Sequence, residues 1–145
     1  MGFRYVASHQ DDATTLSRLT RGTAWVATTA DGTVVGTISL YEPDPESACA
    51  WYREHPHFGQ FAVEPARQRQ GIGLRLLEWV ESEALRRGAT ELALDTAEGA
   101  AHLRRWYGAR GYRLVAHEQW GVTNYRSVIL SRALGNGAPD AGAAA

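Results

Sequence analysis

The run from Glu64 through Pro65, Ala66, Arg67, Gln68, Arg69, Gln70, Gly71 and Ile72 to Gly73 joins a glycine-bearing turn to the start of a helical pattern. Backbone N–H groups are unpaired at a helix start and the positive end of the helix dipole lies beside them, so such a junction binds phosphate. Gly71 and Gly73 let an anion approach with no Cβ in its path, and Arg67 and Arg69 add cationic donors. A dinucleotide fingerprint would need a further Gly where Leu76 stands, and its first Gly close to the preceding strand. Here the whole stretch from Glu64 to Gln70 intervenes. A P-loop is excluded because every basic residue is Arg, and the lack of Lys removes Schiff-base chemistry as well. What remains is the pattern Gln/Arg-x-x-Gly-x-Gly/Ala over Gln68 to Gly73, which plain turn chemistry also produces.

The elements that must hold this junction are legible on either side. Gln60 to Val63 closes a strand that begins near Trp51 and is interrupted at Pro56, with Phe58 to Val63 its regular half. After the junction, Ile72, Leu76, Leu77, Val80 and Ala84 share one helical face, and Gly88 supplies the stop. Upstream, Phe3 to Ala7 has strand composition, and Asp11 and Asp12 open a short helix carrying Leu16 and Leu19. Ala24 to Thr28 and Thr33 to Tyr41 flank Asp31-Gly32, a hairpin signal. Downstream come a strand over Thr90 to Asp95, a helix over Ala97 to Tyr107, and strands over Tyr112 to Gln119 and Tyr125 to Ser131. The order β-α-β-β-β-α-β-α-β-β predicts an α/β fold, a mixed sheet with helices on its faces. With 145 residues, against roughly 150 per domain, this is one domain over residues 1–134. The Gly- and Ala-rich tail 135–145 has nothing to bury and is expected to be disordered.

These segments and the run from Leu103 to Tyr112 together resemble the GNAT superfamily of acyl-CoA-dependent N-acyltransferases. Tyr107 to Tyr112 looks like the family's Tyr-x-x-x-Gly-Phe signature, with Tyr112 in place of the usual Phe. The resemblance spans about Val26 to Leu130 and is specific from Gln60 to Tyr112. It implies a GNAT-like single-domain fold with acetyl-CoA as co-substrate. Gln68, Arg69, Gln70, Gly71, Ile72, Gly73 and Leu74 would hold the pyrophosphate, and the strand Phe61, Ala62 and Val63 would pair with the pantetheine arm. Ala100 stands where many relatives carry an Asn, so that cofactor contact is not carried over.

The implied reaction is direct attack of an amine on the thioester carbonyl. It needs an oxyanion donor, an acid for the departing thiolate and a route for amine deprotonation. The resemblance assigns the first to backbone N–H groups of Phe61 to Val63 and the second to Tyr107. A phenol of ordinary pKa about 10 holds its proton at neutral pH and can pass it to a thiolate of pKa about 8.5. A core aromatic at helical spacing from Leu103 is the competing account of Tyr107. Candidates for the base are His57, Glu54, His55 and His117, with His57 favoured because it lies just upstream of the cofactor strand and imidazole titrates in the required range. Trp51, Tyr52 and Trp120 could build an aromatic acceptor pocket, and Glu54, Glu118 or Asp95 could pair with a cationic amine, although core packing and solvation explain such residues equally. His55 and His57 at alternate strand positions would share a face, but no third ligand has metal-site spacing, so no metal is expected.

The charges, 15 basic against 16 acidic, nearly cancel, so no field would hold the chain on nucleic acid or an anionic membrane. Lone Cys49 can form no internal disulfide, and no run is apolar enough for a signal peptide or a membrane span. A cytoplasmic enzyme follows as the expectation, acting on a small-molecule or peptide amine. A homodimer, common among relatives, is compatible with it. The alternative is a non-catalytic acyl-CoA-binding or sensing module on the same fold.

Overall fold

The computed structural model describes residues 12–135. Helix α1 (Asp12–Arg21) leads into a hairpin of β1 (Thr23–Thr28) and β2 (Val34–Tyr41). At its tip the Asp31 carboxylate accepts the Thr33 N–H at 3.1 Å, the side-chain turn expected of Asp-Gly. Then come α2 (Ala50–Glu54), β3 (His57–Val63), a single 3-10 turn (Pro65–Arg67) and α3 (Ile72–Arg86). The chain continues through β4 (Glu91–Ala97), α4 (Ala101–Gly108), β5 (Arg113–Glu118) and β6 (Ser127–Ala133). The strand expected over Phe3 to Ala7, and the expected tail apart from Gly135, lie outside the described residues.

One element departs from expectation. The segment from Trp51 to Glu54 is helix, not strand: the N–H groups of Tyr52 and Arg53 both donate to the Cys49 carbonyl, and that of His55 to the Trp51 carbonyl at 3.0 Å. Ala50, Arg53 and Glu54 carry the helix, and only two aromatics argued for a strand. Pro56 forces the residue before it out of the helical region, and His55 accordingly sits at φ −130°, ψ 144°.

The six strands order as β1-β2-β3-β4-β6-β5, antiparallel except for β3 beside β4. Helices α3 and α4 cover one face, where Leu76, Leu77, Val80 and Tyr107 pack on Ile38, Leu40, Phe58, Leu92, Leu94, Val128 and Leu130. Removing such side chains from water stabilises by about 1.5–3 kcal/mol each, which fixes α3 and α4 on the sheet. On the opposite face α2 covers a smaller cluster of Cys49, Tyr52, Ala93 and Ile129. Among the described residues no helix is long and apolar enough to cross a membrane.

Two irregularities shape the centre of the sheet. Gln60 adopts φ +49° in a bulge where the β2–β3 register shifts, and its carbonyl accepts the Thr37 hydroxyl at 2.6 Å. The extra residue puts both Phe58 and Phe61 against the larger core. The parallel pairing of β3 with β4 is confined to His57 opposite Ala93, beyond which the strands part. A mixed sheet therefore opens at its middle, with the start of α3 at one side of the opening and a side-chain-lined cleft at the other.

Candidate active site

The glycine-bearing junction folds as its residues demand. Gly71 is the N-cap of α3 at φ +85°, a conformation a side chain resists, and it gives no side-chain cap. A Cβ built on it would meet no atom within 4 Å, so the space before the helix is open. The first-turn N–H groups of Ile72, Gly73 and Leu74 lack intrahelical partners and face that space. Arg69, also at positive φ (+65°), and Arg67 are exposed, and neither forms an ion pair among the described residues. The Gln68 side-chain amide donates to the Val63 carbonyl at 3.2 Å and ties the loop to the end of β3. These groups fit a pyrophosphate: fixed backbone donors, a helix dipole, free guanidinium groups and room.

Across the opening lies a cleft of about 820 Å³ lined by residues of α1, β2, α2, β3, β4 and the loop before β6. Its side chains form a continuous row. The Arg21 guanidinium sits 5.2 Å from the Tyr41 ring centroid, Tyr41 stacks on His57 at 5.0 Å, and His57 stacks on Tyr52 at 3.7 Å with planes 5° apart. The Tyr52 hydroxyl then donates to Asp95 at 2.8 Å. Asp95 occupies the central strand β4 and its side chain is exposed to the cleft. The protein atoms that crowd the cleft push its carboxyl above the ordinary range, and the Tyr52 hydrogen bond opposes the shift. The Trp120 indole N–H lies near enough to favour the charged carboxylate but falls short of a hydrogen bond.

Of the expected acceptor residues, Tyr52 and Trp120 line the cleft, but Trp51 and Glu54 do not. On a helix, neighbours diverge by about 100° instead of alternating. Trp51 therefore packs in the smaller cluster, donating its indole N–H to Ser131 at 3.1 Å, while Glu54 faces a separate cavity of about 250 Å³ with His55. His117 sits beside Glu98 at 3.7 Å, away from the cleft. Of Glu54, Glu118 and Asp95, only Asp95 reaches the cleft.

His57 is in the cleft, but its expected titration range is not met. Its Nδ1 is buried with no hydrogen-bond partner, and burial, with a lesser push from Arg21, holds the imidazole down at about 4. The ring is neutral at physiological pH and a weak base. Tyr107 is buried in the larger core against Phe58 and Tyr112, and its hydroxyl makes no hydrogen bond among the described residues. Burial raises its phenol well above the usual value, and the charge of Asp95 adds to that. Tyr112, in place of the usual Phe, uses its hydroxyl to donate to Glu81 at 3.0 Å, and Glu81 also pairs with Arg132 at 2.6 Å.

An uncapped helix start that fits a phosphate, a bulged strand parting from its parallel neighbour and a tyrosine on the following helix form one arrangement. The model of the acetyltransferase (GNAT) family matches residues 3–112. This chain belongs to the GNAT acetyltransferases. Among curated relatives, S-(2-succino)cysteine N-acetyltransferase of Bacillus subtilis (strain 168) is 30% identical over 119 residues, covering 77% of this chain and 67% of the relative. Solved structures of similar fold include a GNAT acetyltransferase from Elizabethkingia anophelis with acetyl-CoA bound, at TM-score 0.68 and 20% identity, covering 86% of this chain and 84% of that one. Ard1 from Thermoplasma volcanium superposes at TM-score 0.71 and 19% identity over 87% of this chain and 81% of its own. As a GNAT chain it is an acyltransferase of the N-acetyltransferase class.

Arg18, Arg21, Tyr41 and Asp44 also line the cleft and were not legible in the sequence. They come from α1, the end of β2 and the loop after it, and no local motif marks them. Asp95 carried one weak signal, an acidic residue near the end of a buried strand.

Proposed function

We propose that this GNAT chain transfers the acetyl group of acetyl-CoA directly to a primary amine held over Asp95. The observation that carries the reading is the parting of β3 from β4, which opens the sheet between the α3 start and the Asp95 cleft. Bound along the α3 start, Gln68 to Leu74, acetyl-CoA supplies an activated acetyl thioester. A backbone N–H group of the Phe61 to Val63 stretch that is not paired with β2 would donate to the carbonyl oxygen as charge builds on it. Asp95 would orient the amine and take the proton it sheds, its raised pKa making it a stronger base than an exposed carboxylate. Tyr107 would pass its proton to the departing thiolate as the carbon–sulfur bond breaks, although burial makes its phenol a weaker acid than an exposed one. His57, neutral and stacked on Tyr52, then serves to hold the Tyr52–Asp95 hydrogen bond in place instead of acting as the base. The relative's name agrees with nitrogen as the atom acylated. The reading places the protein in a reducing cytoplasm, where buried Cys49 stays a thiol.

Thiol release from acetyl-CoA, followed across amines, amino acids and peptides with acceptor-free controls, tests the reading. Multiple turnovers with one acceptor class are expected. Tight CoA binding without turnover on any acceptor would instead mark a silent acyl-CoA-binding module.

A further inference from the structure

The cleft carries two charged poles of opposite sign. At the floor, Asp95 is bonded to Tyr52. At the rim, Arg18 and Arg21 project from α1 into the same cavity, and neither forms an ion pair among the described residues. Of the other carboxylates on the rim, Glu42 pairs with Arg87 at 2.5 Å, whereas Asp44 accepts the Glu46 backbone N–H at 2.9 Å and its charge acts on His57 against that of Arg21. Both arginines act into the cleft, since the charge of Arg18 favours ionised Asp95 and that of Arg21 disfavours protonated His57.

The arginines are also held in place. The Tyr41 hydroxyl donates to the Arg18 carbonyl at 2.9 Å. Just past the helix, Gly22 lies so close to β2 that a Cβ there would fall 2.3 Å from the Leu40 carbonyl oxygen. The last turn of α1 is thereby clamped to β2, and the row Arg21, Tyr41, His57, Tyr52, Asp95 links the cationic rim to the anionic floor. Guanidinium groups carried on a clamped helix turn, and outside any ion pair among the described residues, are suited to a carboxylate, which they bind through charge-assisted hydrogen bonds.

We propose that the acceptor is a carboxylate-bearing primary amine, an amino acid or a small derivative of one, whose carboxylate is held by Arg18 and Arg21 while Asp95 holds its nitrogen. This assignment rests on the N-acetyl-transfer reading above. A cavity of about 820 Å³ accommodates more than the smallest amino acids, so the spacing between nitrogen and carboxylate is a further variable. Polycationic acceptors such as polyamines would meet like charge at the rim.

The test uses the full chain with free L-amino acids, ω-amino acids of rising length and dipeptides, each paired with its C-terminal amide, and with spermidine as a polycation. For the accepted compounds, kcat/KM for the free acid is expected to exceed that for the amide about tenfold or more, through KM, as loss of a charge-assisted contact implies. The Arg18→Gln/Arg21→Gln double variant should erase that preference and leave KM for acetyl-CoA unchanged. Amides or spermidine turned over as well as the free acids, or a preference that survives in the double variant, overturns the proposal. The same pairs are titrated calorimetrically into wild type and double variant in the presence of CoA, which separates the two readings. If no acceptor is acetylated, arginine-dependent binding of free acids keeps the carboxylate site while the transfer reading falls. Absence of both turnover and preference overturns both.

Discussion

The two sides of the opening are built from different material. The α3 side is mostly backbone: a left-handed Gly71, uncapped N–H groups and a loop tied by Gln68 to the end of β3. The Asp95 side is mostly side chains, delivered by α1, β2, α2, β3, β4 and the loop before β6. Backbone donors read any phosphate with the right reach, whereas side chains can change without disturbing the sheet. The first arrangement suits a ligand common to a family, and the second an acceptor that differs from member to member.

The largest effect should come from breaking the backbone side. In Gly71→Val a branched side chain would occupy the open space before α3 and strain a residue at φ +85°. Loss of two or three charge-assisted hydrogen bonds, each about 1.5–3 kcal/mol, predicts at least about a hundredfold weaker CoA binding. Gly88→Val is the matched control, because Gly88 has φ +91°, equally open surroundings and a place at the far end of α3. Calorimetry should find both variants destabilised and only Gly71→Val defective in CoA binding. Equal CoA affinity in the two would remove the cofactor site from the α3 start.

Tyr107→Phe bears on the point where the two sides meet. It should lower kcat about a hundredfold, the lower end of general-acid contributions, with KM for acetyl-CoA nearly constant. An unchanged kcat would leave Tyr107 as a core aromatic against Phe58 and Tyr112.

How much of this was legible follows the same division. The junction from Gln68 to Gly73, the amphipathic α3 and the hairpin at Asp31-Gly32 are local patterns, and each stands where the sequence put it. The acceptor wall depends on contacts between residues far apart in the chain, such as Tyr52 with Asp95 and Tyr41 with the Arg18 carbonyl, which no period encodes. Misreading α2 as strand had a direct cost: it placed Trp51 and Glu54 beside Tyr52 on the cleft, whereas a helix turns them away.

Within the acceptor wall, Asp95→Asn should lower kcat/KM for the acceptor about a hundredfold by removing the charge that holds and deprotonates the amine. Tyr52→Phe, which keeps the ring on His57 and deletes only the hydroxyl, should cost about tenfold, the lower end for a single hydrogen bond to a charged group. Should Tyr52→Phe prove the more damaging of the two, the reactive proton route would run through the phenol and not the carboxylate.

The smallest effect on activity is expected at His57, and it is the most discriminating. Its Nδ1 has no partner to lose, so His57→Phe should preserve the stack between Tyr41 and Tyr52 and leave kcat within about threefold of wild type. A general base at this position would instead make the variant lose about a hundredfold or more. Stability supplies an independent readout. The folded imidazole titrates at about 4 and the unfolded one near 6.5, so between those values the unfolded chain binds more protons. Stability contributed by neutral His57 is therefore complete above about pH 6.5, declines as pH falls toward 4, and amounts to about 3 kcal/mol at most. Thermal unfolding of wild type against His57→Phe across pH 4 to 8 should show the variant gaining relative stability at the acid end. Parallel curves would mean that the imidazole is solvated well enough to charge in place, and the base role would return to it.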